Sequence, residues 1–349
     1  MIFDQHRSCL LQYDGNPSLI ESIGSGVDEI YLNEIKKLAL SPEAVKEQND
    51  LKIVFSPIHG TGVTLVPPSL AAYGFTNVTV VESQSKPDGN FPTVVYTNPE
   101  EKEALSIALK KAERIDADLV LATDPDADRV GIAVKNLSGE FELLNGNQTG
   151  SLLIYYILER WKERNQFKGN EFVVKTIVTT DLITRIAESY GVEHFDTLTG
   201  FKYIASLIKS LEGKKQYIAG GEESYGYMIS DFVRDKDAVA SSAMIAEMCA
   251  YAKSKGKNLY SMMIDMYVQF GYYKEALISL TKKGKSGAEE IVQIMADFRS
   301  NPPATFAGSK VIKVVDYQSS ISKDLVSGQE HDIDYDKSNV LQFFSESGY

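Results

Sequence analysis

Cysteine is scarce: Cys9 and Cys249 are the only two among 349 residues. Two isolated cysteines build neither a disulfide framework nor a zinc motif, which points to a reducing compartment. No apolar run is long enough to cross a bilayer. The segment from Met1 to Cys9 has no cationic stretch followed by a long apolar core, so no secretory signal is read there. A cytoplasmic location is expected. Positive charge is not in excess either, since 36 Lys and Arg face 48 Asp and Glu for a net charge of −12. That balance argues against nucleic acid and membrane surfaces as partners, but it leaves room for a local basic pocket. Hydrophobic and charged fractions are those of an ordinary globular protein, and the length suggests two or three domains. Oligomeric state is not readable from the chain.

The most informative stretch is Asp124-Pro-Asp-Ala-Asp-Arg129, which follows the apolar run Ala117 to Ala122. The run reads as a buried strand, ended by a proline that cannot donate to a sheet ladder. The loop therefore leaves the carboxyl end of a strand, where open α/β sheets place their ligands. Three clustered carboxylates repel one another unless a cation neutralises them, and oxygen-only ligands suit a hard ion such as Mg²⁺. Arg129 adds a cationic fork suited to phosphate. An EF-hand is excluded, because its sixth and twelfth positions would be Arg129 and Lys135 rather than Gly and Glu. A solvated turn remains the bland alternative. A phosphatase with Asp124 as nucleophile remains the catalytic one at the level of the motif.

Two segments repeat one order of elements. In the first, strand 51–56 leads into Pro57-Ile-His-Gly-Thr-Gly62, then a helix ending at Gly74 and a strand over 75–81. A helix is predicted from Pro99 to about Arg114, before strand 117–122. In the second, strand 171–178 is followed by a helix with Asp181 as N-cap, a short strand over 192–195 and a helix over 201–211. Strand 216–219 then runs into a second acidic loop, Gly220 to Gly226. Helices are also predicted over 151–164, 237–252, 259–267 and 288–298, with Lys282 to Gly287 as a flexible basic turn. A third unit opens with strand 310–317. The alternation implies parallel sheets with right-handed crossovers, two such domains framing a cleft.

These residues resemble the α-D-phosphohexomutases, the phosphoglucomutase/phosphomannomutase family. The resemblance is carried by Asp124 to Arg129, Gly221-Glu-Glu-Ser-Tyr-Gly226, Pro57 to Gly62, Lys86-Pro-Asp-Gly-Asn-Phe-Pro92, Thr199-Gly-Phe-Lys-Tyr-Ile204 and Arg234-Asp-Lys-Asp237. It covers roughly residues 12 to 349. It implies two repeated mixed/parallel α/β domains plus an incomplete C-terminal α+β domain. The expected divisions are a first-domain tail over 1–20, a metal-binding domain over 21–145, a sugar-binding domain over 146–270, a helical linker over 271–304 and the incomplete domain over 305–349.

The resemblance further implies interconversion of hexose 1-phosphate and 6-phosphate, with glucose the first expectation, through a phosphoserine and a bisphosphate intermediate. Asp124, Asp126 and Asp128 would hold Mg²⁺, and Arg129 and Lys202 would act at the reacting centre. Glu222, Ser224, His59 and Arg234 would contact the substrate, and glucose 1,6-bisphosphate would serve as activator and intermediate. The family's serine loop, Thr-Ala-Ser-His-Asn-Pro, and its C-terminal phosphate loop, Arg-Pro-Ser-Gly-Thr-Glu-Pro, do not occur among the 349 residues. The chain by itself is therefore expected to be catalytically incomplete. The alternatives are a non-catalytic sugar-phosphate-binding derivative of a mutase and a Mg²⁺-dependent phosphatase. For His59, Lys202 and the Arg234 segment, plain structural roles compete with the functional ones: a loop tie, a solvated face and a helix cap.

Overall fold

The computed structural model describes residues 16–348. Most of the segment assigned to a first-domain tail, together with Cys9, lies outside the described residues. The first unit opens with α1 (Gly24–Lys37) and α2 (Pro42–Glu47), followed by β1 (Ile53–Ser56), α3 (Val66–Tyr73), β2 (Val78–Val80) and α4 (Ser106–Ile115). It closes with β3 (Leu119–Thr123), β4 (Val130–Lys135) and β5 (Phe141–Leu144). The sheet order is β2-β1-β3-β4-β5. The first three strands are parallel, and β4 and β5 add antiparallel. β1 and β3 are buried along their whole length, as strands of continuous apolar sequence covered on both faces must be.

One boundary differs from expectation. α4 starts at Ser106 rather than Pro99, because side-chain bonds within the preceding stretch and a close approach to β4 hold it as turns. Asn98 grips the Glu100 carboxylate, Glu103 accepts from the Val95 N–H at 3.2 Å, and the Pro99 carbonyl lies against Gly131 of β4.

The second unit runs α5 (Gly146–Glu163), β6 (Glu171–Thr176), α6 (Leu182–Ser189), β7 (Glu193–Thr197), α7 (Phe201–Leu211), β8 (Gln216–Gly221) and β9 (Tyr227–Ile229). Its sheet has the order β7-β6-β8-β9, parallel except for β9. α5 begins five residues before the expected Ser151, through a capping box between Asn145 and Gln148. Asp181 does precede α6, but its carboxylate makes no cap bond and instead pairs with the buried Lys175 at 2.9 Å.

α8 (Ala238–Ser254) is buried nearly throughout and packs on α2, α3 and β9, so one apolar core runs through both units. α9 (Leu259–Phe270) packs against α5. The last unit comprises α10 (Gly284–Ser300), β10 (Thr305–Phe306), β11 (Ser309–Asp316), β12 (Ile321–Asp324), β13 (Glu330–Asp332) and β14 (Leu341–Ser345). Its strands are antiparallel, with β14 beside β11. The expected flexible turn at Lys282–Gly287 is partly helical, since α10 already begins at Gly284.

Val340, Leu341 and Phe343 in the last unit are half-buried. The Phe343 ring lies 6.2 Å from that of Phe298 on α10 and 5.9 Å from that of Phe306. Val340 joins a cluster with Tyr317, Val315, Ile177 and Leu198, which ties this sheet to the second unit. Among the described residues, no helix is long and apolar enough to cross a membrane.

Candidate active site

Both acidic loops begin where a buried parallel strand stops: Asp124 directly after β3 and Glu222 directly after β8. The first loop is wound around its own first carboxylate. Asp124 Oδ1 accepts from the backbone N–H groups of Asp128 and Arg129, each at 3.0 Å, and Ala127 takes a left-handed φ of 58° to close the turn. One oxygen from each of Asp124, Asp126 and Asp128 lies within 4.8 Å of the others. Arg129 Nε forms ion pairs with Asp124 Oδ2 at 3.6 Å and Asp128 Oδ1 at 3.5 Å, but both Nε and Asp128 Oδ1 are buried without a hydrogen-bond partner.

Crowding shapes the charges. Burial, a hydrogen bond with Asp128 and the neighbouring negative charges push Asp124 up to about 7. Burial acts in the same direction on Asp128. There, however, the hydrogen bond from Asp124 and the cations Lys236 and Arg129 outweigh it and hold the carboxyl below its usual range. A cluster of oxygens this close, with one buried oxygen unpartnered, fits a hard divalent cation.

The second loop is stitched to its surroundings on several sides. Glu222 Oε1 accepts from the Gly200 N–H at 2.6 Å, which ties it to the entry of α7. Burial raises the Glu222 carboxyl, and that bond partly offsets the rise. Glu223 Oε2 accepts from the hydroxyls of Thr176 at 3.2 Å and Thr179 at 3.0 Å, and the Glu223 N–H donates to Thr179 Oγ1. Ser224 is half-buried between them and makes no side-chain hydrogen bond among the described residues. Tyr225 and Tyr227 are buried, and the Tyr227 hydroxyl donates to the Gly146 carbonyl.

The two loops meet directly. Arg129 and Gly226 form an antiparallel bridge, and the Val130 N–H donates to the Tyr225 carbonyl at 3.0 Å. The Ala238 N–H, at the start of α8, donates to the Ala127 carbonyl at 3.1 Å. Lys236 reaches across and bonds Asp128 Oδ2.

The other sequence-predicted residues stand apart from this junction in different ways. His59 is buried, with Nδ1 3.2 Å from the Lys86 carbonyl and Nε2 2.9 Å from Thr93 Oγ1, so both ring nitrogens are engaged within the loops of its own domain. What its loop brings to the site is backbone: the Thr61 N–H and hydroxyl both donate to the Pro125 carbonyl of the metal loop. Lys202 is exposed in the first turn of α7, two residues beyond the Gly200 that Glu222 holds, with its ammonium 4.8 Å from the Tyr203 ring centroid. Arg234 points to Glu212 at 3.1 Å, and its charge is answered there. Asp237 caps α8 through the Val239 and Ala240 N–H groups.

The residues that sequence reasoning missed are Glu223 and Lys236. Lys236 sits in the same Arg-Asp-Lys-Asp segment as Arg234 and immediately before the α8 cap, so position relative to the cap was the available signal.

Comparison with known proteins agrees with this arrangement. Residues 29–139 match the profile described as phosphoglucomutase/phosphomannomutase, alpha/beta/alpha domain II, and residues 145–270 match that of alpha/beta/alpha domain III. A phosphoglucomutase of Staphylococcus epidermidis is 36% identical over 332 residues, which is 95% of this chain and 59% of that protein. A phosphoglucomutase of Staphylococcus aureus is likewise 36% identical over 334 residues, 96% of this chain and 59% of the relative. The chain thus spans less than two thirds of the relatives it matches. Among solved structures, the open form of Paramecium parafusin, a phosphoglucomutase, superposes with a TM-score of 0.60 at 17% identity, over 92% of this chain and 53% of that one. At that identity the likeness speaks to the fold alone. With two consecutive domain profiles matched and the two acidic loops joined between them, the chain belongs to the phosphoglucomutase/phosphomannomutase family.

Proposed function

We propose that this chain carries the metal-binding and sugar-binding parts of a phosphohexomutase, which moves a phosphoryl group between O1 and O6 of a hexose phosphate, glucose first among them. The observation that carries the reading is the bridge between Arg129 and Gly226, which joins a carboxylate triad to the sugar-type loop across a domain boundary. The names of the relatives support glucose as the sugar.

Asp124, Asp126 and Asp128 would hold Mg²⁺, whose chemistry when bound is to neutralise charge on a transferring phosphoryl group. Arg129 would present its guanidinium to the same group, since its Nε lies beside the triad with its N–H not hydrogen-bonded. Glu222 would accept from sugar hydroxyls through Oε2, with Oε1 occupied by Gly200, and Ser224 would donate to them. Lys202 is proposed to reach the reacting centre from the start of α7. His59 and Arg234 have less support as substrate contacts, because their polar atoms already have partners. The phosphatase reading loses support too, because Asp124 is buried and bonded to its own loop. Glucose 1,6-bisphosphate would be the intermediate and the cytoplasm the site of action. The phosphoryl donor would be a phosphoserine on a loop of the type that these 349 residues do not contain, so this polypeptide by itself is proposed to bind metal and sugar phosphate without turnover.

The test combines two measurements on the purified chain: Mn²⁺ and glucose 6-phosphate binding by calorimetry, and a coupled assay of glucose 6-phosphate formation from glucose 1-phosphate. Binding without turnover is expected. Turnover would overturn the incompleteness, and loss of both binding events in a folded chain would overturn the site.

A further inference from the structure

We propose that Lys236 is the resident counter-cation of the metal site: its ammonium holds Asp128 until a divalent ion takes that carboxylate, and is then freed toward the sugar-binding loop. This rests on the proposed metal role of the Asp124, Asp126 and Asp128 triad.

Three observations carry it. The first is the contact itself, since Lys236 Nζ bonds Oδ2 of Asp128, a carboxylate of the candidate metal triad. The second is how the side chain is laid down. Its aliphatic stem crosses Gly226 so closely that a β-carbon there would stand 2.3 Å from Lys236 Cδ. The side chain is only 16% exposed, so it is packed between the two acidic loops rather than extended into water. The third is the fixity of the backbone on either side. The Lys236 N–H donates to Asp235 Oδ1 at 2.8 Å, the Asp237 N–H donates to the Tyr227 carbonyl at 3.0 Å, and Asp237 is held by the Tyr31 hydroxyl as well as by the start of α8. Anchored in this way, the residue can respond to a ligand through its side chain alone.

Electrostatics give the direction of that response. With all three ionised, as metal ligation requires, the carboxylates facing Arg129 and Lys236 leave one net negative charge. Adding a divalent ion reverses the sign and sets an ammonium against a dication on one carboxylate, a repulsion that solvent screens little at a partly buried site. Among the neighbouring carboxylates in the ammonium's field is Glu222, whose carboxyl Lys236 already draws downward against the effect of burial. Metal occupancy and the charge offered to a sugar phosphate are then linked, and by reciprocity a sugar phosphate that engages Lys236 strengthens metal binding.

The experiment measures Mn²⁺ affinity by electron paramagnetic resonance for the wild-type chain, Lys236→Met, Gly226→Ala and Lys215→Met. Lys215 is a surface lysine paired with Glu193, and its variant removes the same charge elsewhere. Lys236→Met is expected to tighten Mn²⁺ roughly tenfold, within the range by which groups around a metal's ligands alter affinity. Lys215→Met should change it less than about twofold, because exposed charge at that distance is screened. Gly226→Ala keeps the charge but displaces the stem, and should reproduce the tightening. In ¹⁵N-lysine spectra of the wild-type chain, the Lys236 ammonium signal should shift on addition of Mg²⁺, a readout that needs no variant to fold. Unchanged or weaker Mn²⁺ binding in Lys236→Met, or an ammonium signal indifferent to Mg²⁺, would overturn the inference while leaving the metal site standing. Absence of Mn²⁺ binding in the wild-type chain would overturn both.

Discussion

The metal loop and the sugar loop occupy equivalent places at the ends of β3 and β8, and each rests on a glycine where no β-carbon fits. A β-carbon on Gly60 would stand 2.3 Å from Pro125 Cα, and one on Gly146 would stand 1.8 Å from the Glu223 carbonyl oxygen. They differ in how their carboxylates are used. In the sugar loop, Glu222 and Glu223 each bind their own chain, one at Gly200 and the other at Thr176 and Thr179. In the metal loop, Asp124 serves the turn through Oδ1, Asp126 makes no hydrogen bond among the described residues, and Asp128 bonds Lys236 through Oδ2 while its buried Oδ1 has no hydrogen bond. The same topology therefore carries two kinds of acid. One kind fixes the shape of a loop, and the other gathers three acids against two cations, an excess of negative charge kept for a ligand and a local conflict characteristic of functional sites.

The largest effects should come from the glycine seats, which make the loops comparable. Gly60→Ala and Gly146→Ala are each expected to cost about 3 kcal/mol in urea unfolding, because backbone must move to admit the methyl group. Only Gly60→Ala should also weaken Mn²⁺ binding. Equal loss in both would mean that the two loops form one inseparable unit. Next comes the contrast between their acids. Asp126→Asn is expected to weaken Mn²⁺ about a hundredfold and to leave stability unchanged, since the native side chain makes no internal bond. Glu223→Gln should do the reverse, losing about 1.5 kcal/mol of stability through weakened charge-assisted bonds to the threonine pair while metal affinity holds. Calorimetric Mn²⁺ titration and urea midpoints on the same two variants decide the matter, and a stability loss in Asp126→Asn would erase the distinction.

What could be read in advance follows the range of the forces involved. The Asp124 to Arg129 triad is legible because its spacing is local and the preceding apolar run fixes it at the end of a strand. The stop of α3 at Gly74 and the cap of α8 at Asp237 are legible for the same reason. Glu223 and Lys236 were missed because their partners lie 44 and 108 residues away, and the cap that follows Lys236 marks its place in the chain but not its partner. The misplaced start of α4 has this cause in part, since the Pro99 carbonyl packs against Gly131 of β4. Of the chemistry-bearing residues, the local pattern identified Glu222 and the aspartates, but it could not separate Arg234, which faces outward to Glu212, from Lys236 two positions on.

Glu247 tests the comparison outside both loops, where the smallest effect is expected. It is wholly buried on α8, its Oε1 accepts from the Leu40 N–H and the Tyr156 hydroxyl at 2.8 Å each, and its Oε2 has no partner. It therefore combines the bonded oxygen of the sugar-loop acids with the oxygen of the metal-loop acids that lacks a hydrogen bond, and it forms no ion pair among the described residues. Burial raises its carboxyl above the ordinary range, and the bonds from Leu40 and Tyr156 only partly oppose this. A folded-state value above the unfolded value of about 4.3 means that the folded chain holds the proton more tightly. The wild type then keeps its full stability below the unfolded value and loses part of it as pH rises through the folded one. Glu247→Gln cannot ionise, so its stability relative to the wild type should climb as urea midpoints are taken from pH 5 to pH 8. A flat difference over that range would show that two bonds to one oxygen suffice to keep a buried carboxylate charged. The orphan oxygen of Asp128 would then need no cation to explain it either.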